Sequence, residues 1–172
     1  AIGYNALKTE TTGRFNVAVG KDALLTQNHT DDSQAANTAV GYQAGRSTTT
    51  GIRNQFFGGD AGYKNTTGSN NVAVGFQALY NFDTHSNNTA VGHQAMSLGD
   101  GADDCVAIGR EALEDVTGDK NVAVGYQAGA QITSAEECIA IGYQAITTTQ
   151  TGSNIIAIGR SADPSGSGGT DQ

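Results

Sequence analysis

Tryptophan is absent from this chain, proline and methionine occur once each, and cysteine occurs twice. Tyr and Phe together supply 6% of the 172 residues. So few large side chains cannot fill a thick two-layer core. Long apolar runs are also missing. Nothing approaches the ~18 residues of a membrane-spanning helix, which excludes such a span. Two cysteines are too few for a disulfide framework and leave the redox compartment undefined. Charged residues make up only 15%, and Val and Ile are plentiful, unlike the composition of a long disordered tail. Nine Lys and Arg stand against seventeen Asp and Glu, a net charge of −8. That balance argues against a phosphate-binding groove and so against nucleic acid as a partner. The chain opens abruptly on Ala1-Ile2-Gly3 with no signal peptide, and is expected to be a piece of a longer array.

What the chain does have is glycine, 24 of them, placed periodically. A Gly preceded by Val, Ile or Phe and followed three residues later by Ala recurs at Gly3, Gly20, Gly41, Gly58, Gly75, Gly92, Gly109, Gly125, Gly142 and Gly159. The gaps are 17 residues, except one of 21 and one of 16. Two before the Gly stands Ala in every copy but one, where Phe56 replaces it. Four before it stands Asn at Asn16, Asn37, Asn54, Asn71, Asn88 and Asn121. The unit reads N-[V/T]-A-[V/I]-G-x-x-A.

Such a unit is too short for a helical hairpin, and its glycines would weaken a helix. Asn71-Val72-Ala73-Val74, β-branched and bounded by turn residues, reads as a strand. One strand per period, then a turn and a second short strand, describes one coil of a solenoid stabilised by stacking on its neighbours. The expected fold is all-β, a parallel β-roll or β-solenoid of about ten 17-residue rungs over 1–162, roughly 45–50 Å long. The segment 163–172, rich in Gly and Ser, reads as a flexible tail.

Strand alternation puts Val72 and Val74 on one face, Asn71 and Ala73 on the other. Either the Ala columns close a thin interior and the Val/Ile column faces outward, or the reverse; the pattern allows both. In the first case Val19, Val40, Val74, Val91, Ile108, Val124, Ile141 and Ile158 form an apolar stripe that needs a partner surface. The four-residue excess in Gln27–Ala36 is expected to protrude as a loop. A local bulge is expected where Phe56-Phe57 meet Gly58-Gly59. Cys105 and Cys138 occupy the Asn column two rungs apart, roughly 9–10 Å along the axis, too far for a disulfide. They should be free and buried.

The unit resembles the head repeats of YadA-like trimeric autotransporter adhesins, N-S-V-A-I-G-x-x-S, through Asn16 to Gly20, Asn71 to Gly75, Asn121 to Gly125 and Ile155 to Gly159. Val-Gly-Tyr-Gln-Ala, at Val40–Ala44 and Val124–Ala128, is similar to repeats of phage tail fibres. The family's Ser is Ala in every copy here, and no coiled-coil heptads are present. The resemblance implies a left-handed roll, a homotrimeric fibre, and attachment to a host-surface receptor or glycan from an extracellular, cell-surface or virion location. Bacterial adhesin and phage fibre both remain open, as does a monomeric solenoid binding ice or glycan.

Candidate sites are few. Tyr42, Phe76, Tyr126 and Tyr143 follow the motif Gly and form a row of rings suited to packing between chains or to sugar stacking; Lys21, His93, Arg110 and Arg160 share that column. Asp100, Asp103 and Asp104 are weak calcium candidates, with a solvated acidic face as the default. Thr or Ser recurs eight before the Gly, and only Thr48/Thr50 and Thr149/Thr151 show the Thr-x-Thr of a flat ice-binding array. The Asn column reads as structural. His29, His85 and His93 fall in different columns with no nucleophile motif. No enzyme activity and no cofactor are expected.

Overall fold

The computed structural model describes residues 1–30, 34–147 and 152–163. Among these there is no helix, and nine three-residue strands follow one another: β1 (Val17–Val19), β2 (Thr38–Val40), β3 (Gln55–Phe57), β4 (Val72–Val74), β5 (Thr89–Val91), β6 (Val106–Ile108), β7 (Val122–Val124), β8 (Ile139–Ile141) and β9 (Ile156–Ile158). They form one parallel sheet in sequence order. Every pairing joins equivalent columns, as in Val72↔Thr89, Ala73↔Ala90 and Val74↔Val91. The chain is a β-solenoid of about eight turns, fewer than the ten rungs expected. The first copy contributes only a bridge, Ile2↔Val19.

Among the described residues the expected second strand of each coil is also missing. The wall opposite the sheet is a run of turns whose backbone bonds still pass from rung to rung. Leu79 N donates to Ala95 O at 3.0 Å, Met96 N to Ala112 O at 3.0 Å and Leu113 N to Ala128 O at 3.0 Å. These residues hold left-handed φ values of 51°, 50° and 47°, uncommon for non-glycine residues. Bonding to the next rung and burial offset that strain.

Of the two face assignments, Ala is inside. The strand alanines Ala18, Ala39, Ala73, Ala90, Ala107, Ala123 and Ala140 are wholly buried, as are the second-column alanines from Ala23 to Ala145. Leu24, Leu79, Met96, Leu113 and Ile146 fill the width between them. Close stacking of successive rungs explains the glycine column. A Cβ on Gly58 would sit 2.5 Å from the carbonyl oxygen of Gly75 in the next rung, at a φ of +137° that L side chains rarely adopt.

Phe56 makes no bulge. β3 continues the register of β2 and β4 without an inserted residue. The ring instead fills space left by two glycines in a column that holds Leu, Met or Ile in most other rungs and a third glycine at Gly129. A Cβ on Gly45 would lie 2.6 Å from Phe56 Cδ2, and one on Gly62 2.5 Å from Phe56 Cδ1. One large residue has replaced two.

The asparagines form a buried ladder. Asn54 N donates to Asn37 Oδ1 at 2.8 Å, Asn71 N to Asn54 Oδ1 at 2.9 Å and Asn88 N to Asn71 Oδ1 at 3.0 Å. Each side-chain amide donates in turn to a turn carbonyl, Asn54 to Gly68 O at 2.8 Å and Asn88 to Ala102 O at 2.8 Å. Cys105 and Cys138 are free and buried. Cys105 keeps part of the pattern, its Sγ accepting from Asn121 N at 3.3 Å. Burial pushes its thiol up to about 11.

Candidate functional site

With alanine inside, the sheet presents its β-branched columns outward. Val40, Val74, Ile108, Ile141 and Ile158 are exposed, and Val19, Val91 and Val124 are half-buried. The second outward column, two residues earlier, runs from Val17 to Ile156, both 46% exposed. All eight stripe residues therefore lie on one flat face, about 38 Å long for eight strand spacings. The Val/Ile column, completed by Phe57, is apolar at every strand, while Thr38, Gln55 and Thr89 interrupt the second column.

The corner after the strand carries the aromatic column. Tyr126 and Tyr143 stack with centroids 5.2 Å apart and planes 15° apart. Arg110 covers the outer face of this pair at Tyr126 and Arg160 covers it at Tyr143, each 5.7 Å from the ring centroid. Both faces of both rings are thus occupied. Phe76 leans on His93, centroids 5.5 Å apart, and Lys21 lies over Tyr42 at 5.8 Å. Of the sugar-stacking candidates, Tyr126 and Tyr143 have no face to offer. Tyr42 and Phe76 each keep one.

A second ladder went unread in the sequence. Tyr63 and Tyr80 stack at 5.0 Å with planes 8° apart, Arg46 lying over Tyr63 and Lys64 over Tyr80. The recurrence of Tyr five residues after Gly58 and Gly75 was its signal. Beside the first aromatic column runs an amide ladder: Gln94 donates to Gln77 at 3.1 Å, Gln127 to Glu111 at 2.7 Å and Gln144 to Gln127 at 2.9 Å. Asp60 interrupts it. Its Oδ1 is buried with no hydrogen-bond partner, and burial raises its pKa.

The acidic candidates do not converge. Asp103 Oδ1 accepts from Ser86 N at 2.6 Å, Asp100 Oδ1 lies 3.3 Å from His85 Nδ1, and Asp104 is exposed at a left-handed turn position. Among the described residues no three His, Cys, Asp or Glu are placed to hold a metal ion. Nor is there a double Thr row: Thr50 is exposed but Thr48 is buried, while Thr149 and Thr151 lie outside the described residues.

The segment Gln27–Ala36 departs in part from the expected protruding loop: Asn28, Thr30 and Gln34 are exposed, but its flanks also turn inward. Gln27, His29 and Ala35 are buried, while 31–33 lie outside the described residues. Gln27 and His29 turn inward because Glu10 sits there as a buried carboxylate, its side chain 4% exposed. Gln27 Nε2 donates to it at 2.9 Å, Gly13 N at 2.7 Å, and His29 Nδ1 lies 2.8 Å away. Gln27 Oε1 accepts from Asn37 Nδ2 at 2.9 Å, tying the cluster to the Asn ladder. Burial alone would raise the Glu10 pKa. The bonds from His29, Gln27 and the Gly13 and Thr12 amides outweigh it and pull the value down to about 2. Glu10 stands seven residues after Gly3, in the inward column that Gln27, Thr48, Asn65 and Phe82 continue, but the residue type changes at every rung, so periodicity did not mark it.

No family model, curated protein or solved structure matches the chain. No helix among the described residues is long and apolar enough to cross a membrane.

Proposed function

We propose that this chain is a structural repeat segment of a trimeric extracellular fibre, an adhesin head or phage tail fibre, that mediates attachment to a host or surface. The outward Val/Ile face carries the reading. The core is already closed by Ala, Leu and Met, so the second apolar face has no role in folding a single chain. Burying it is worth ~25 cal/mol per Å², and three copies around an axis parallel to the rod cover it without leaving an open end. The roll is taken as left-handed, following the adhesin resemblance. Its mechanism is mechanical: backbone bonds run along the rod, apolar contacts run between rods, and the result is a stiff spacer on a cell surface or virion.

Light scattering coupled to size exclusion tests this reading. The expected mass is three times the 17.6 kDa chain. A single-chain mass at micromolar concentration overturns it.

A further inference from the structure

One strand of the sheet differs from the others on its outer face. β3 presents Gln55 and Phe57, whereas every other strand presents Val, Ile or Thr at both outward positions. Phe57 is 39% exposed. Gln55 is half-buried, and its side chain makes no hydrogen bond among the described residues. The rest of the face is nearly the same at each level. Thr38 and Thr89 keep the outline of Val, and a hydroxyl can turn toward whatever partner is near.

A repeating face does not by itself fix the level at which copies meet. Sliding one rod past another by a single strand spacing, about 4.8 Å, keeps all but one of the nine strands against a strand. Between columns of Val, Ile and Thr that displacement costs little, because shifted pairings look alike. β3 removes the degeneracy. In a closed threefold arrangement with its axis along the rods, all three copies of β3 lie at one level. A Gln amide carries both donors and an acceptor, so three of them close a ring in which each copy donates to the next. After a one-rung slip the displaced Gln55 faces the level of Thr38 or Val72, and amides taken out of water lose their partners. Phe57 acts in the same sense. Its ring would meet the level of Val40 or Val74, which holds a smaller side chain, and overpacking is destabilising.

We infer that Gln55 and Phe57 fix the axial register of the contact between copies, their partner being strand β3 of a second and a third copy. This rests on the trimeric reading given above and adds to it the residues that select one alignment. A single polar residue within an apolar contact between chains is the best-attested device for setting register, and it acts at some cost in affinity. With Val at both positions the copies would still associate, but at several levels.

Isoleucine δ1-methyl NMR on the intact chain, with light scattering on the same sample, tests it. In a threefold-symmetric assembly the copies are equivalent, so Ile139, Ile141 and Ile158 should each give one signal. A slipped copy breaks that symmetry, and alignments that interchange only by dissociation give separate signals. Gln55→Val combined with Phe57→Val makes β3 like its neighbours. Each signal should then split into about two or three, one for each inequivalent copy, while the trimeric mass and the circular dichroism spectrum stay unchanged. Moving the pair to β6 in that variant, with Val106→Gln and Ile108→Phe, should restore single signals. Single signals from the double variant at trimeric mass, split signals in the wild type, or splitting that persists after the move would each overturn the register assignment. So would a double variant reduced to single-chain mass, because the pair would then hold the copies together rather than align them. A wild type of single-chain mass overturns the trimer itself and the register with it, so the mass separates the two failures.

Discussion

The backbone amide of Asn71 donates to Oδ1 of Asn54, one rung earlier, at 2.9 Å. Asn71 repeats the service for Asn88 N at 3.0 Å, and its own Nδ2 reaches His85 O at 2.7 Å. One side chain thus satisfies a donor in the next rung and an acceptor in the turn. Backbone groups buried beside this apolar interior have no water to turn to.

Removing that side chain leaves both groups unpaired. Asn71→Ala should cost about 2–6 kcal/mol, two buried groups at about 1–3 each. Asn71→Cys should cost less, because Cys105 shows that a sulfur in this column still accepts an amide, from Asn121 at 3.3 Å. Urea denaturation of the two variants gives the ordering. Equal losses would mean the sulfur contact contributes nothing.

The glycine column predicts a sharper failure. Gly58→Ala places a methyl against the Gly75 carbonyl, and neither backbone segment has a flexible end to move. A loss above about 4 kcal/mol is expected, large enough to abolish cooperative melting by circular dichroism. A neighbouring exposed change, Thr67→Ala, should stay within about 0.5 kcal/mol.

Phe56 and its two glycines form an exchange that can be reversed. Phe56→Ala alone should cost about 3–5 kcal/mol through the cavity it opens. Adding Gly45→Leu and Gly62→Leu restores the consensus of other rungs, since Leu24 and Leu79 already hold φ of 48° and 51° there. The triple variant should regain most of the loss. Thermal melts that show it no better than the single variant would mean the space is not shared.

Glu10 makes the fold acid-sensitive in a definite window. Its folded pKa is lowered from 4.5 to about 2, so the unfolded chain binds the proton more readily. The stability it contributes is fully present above pH 4.5 and is lost as pH falls through about 2. Allowing for solvent screening, the contribution is of order 1–2 kcal/mol. Glu10→Gln should lower Tm at pH 7 and flatten its decline between pH 5 and 2. A variant with the wild-type slope would place the acid sensitivity elsewhere.

The repeat columns located all nine strands, because Asn, Ala and Val recur wherever the sheet needs an inward polar, an inward small and an outward branched residue. They could not say which face was inside. Alternation relates Val72 to Val74 and Asn71 to Ala73 without favouring either side; the decision comes from Leu79, Met96 and Leu113, which fill the interior from turns whose left-handed backbone has no sequence marker. The Glu10 cluster was hidden for a different reason: Glu10 and Gln27 stand one period apart in a column whose residue type changes from rung to rung. Gln27 and His29 look like members of a polar loop, and only the buried carboxylate opposite them explains why they fold inward.

The Val/Ile face separates assembly from folding. Val74 is 38% exposed and Val124 half-buried in the single chain, and neither touches the alanine interior. Changing both to Asp should leave each rod folded, since the carboxylates stay in water. In a trimer the same change puts six carboxylates between apolar faces, and each unpaired buried charge costs several kcal/mol. The expected result is a fall to the single-chain mass in light scattering with an unchanged circular dichroism spectrum. Gln77→Ala, in the amide ladder beyond the sheet, should leave the trimer intact. An assembled double variant would remove the Val/Ile face from the interface, and a Gln77→Ala dissociation would move that interface to the aromatic corner.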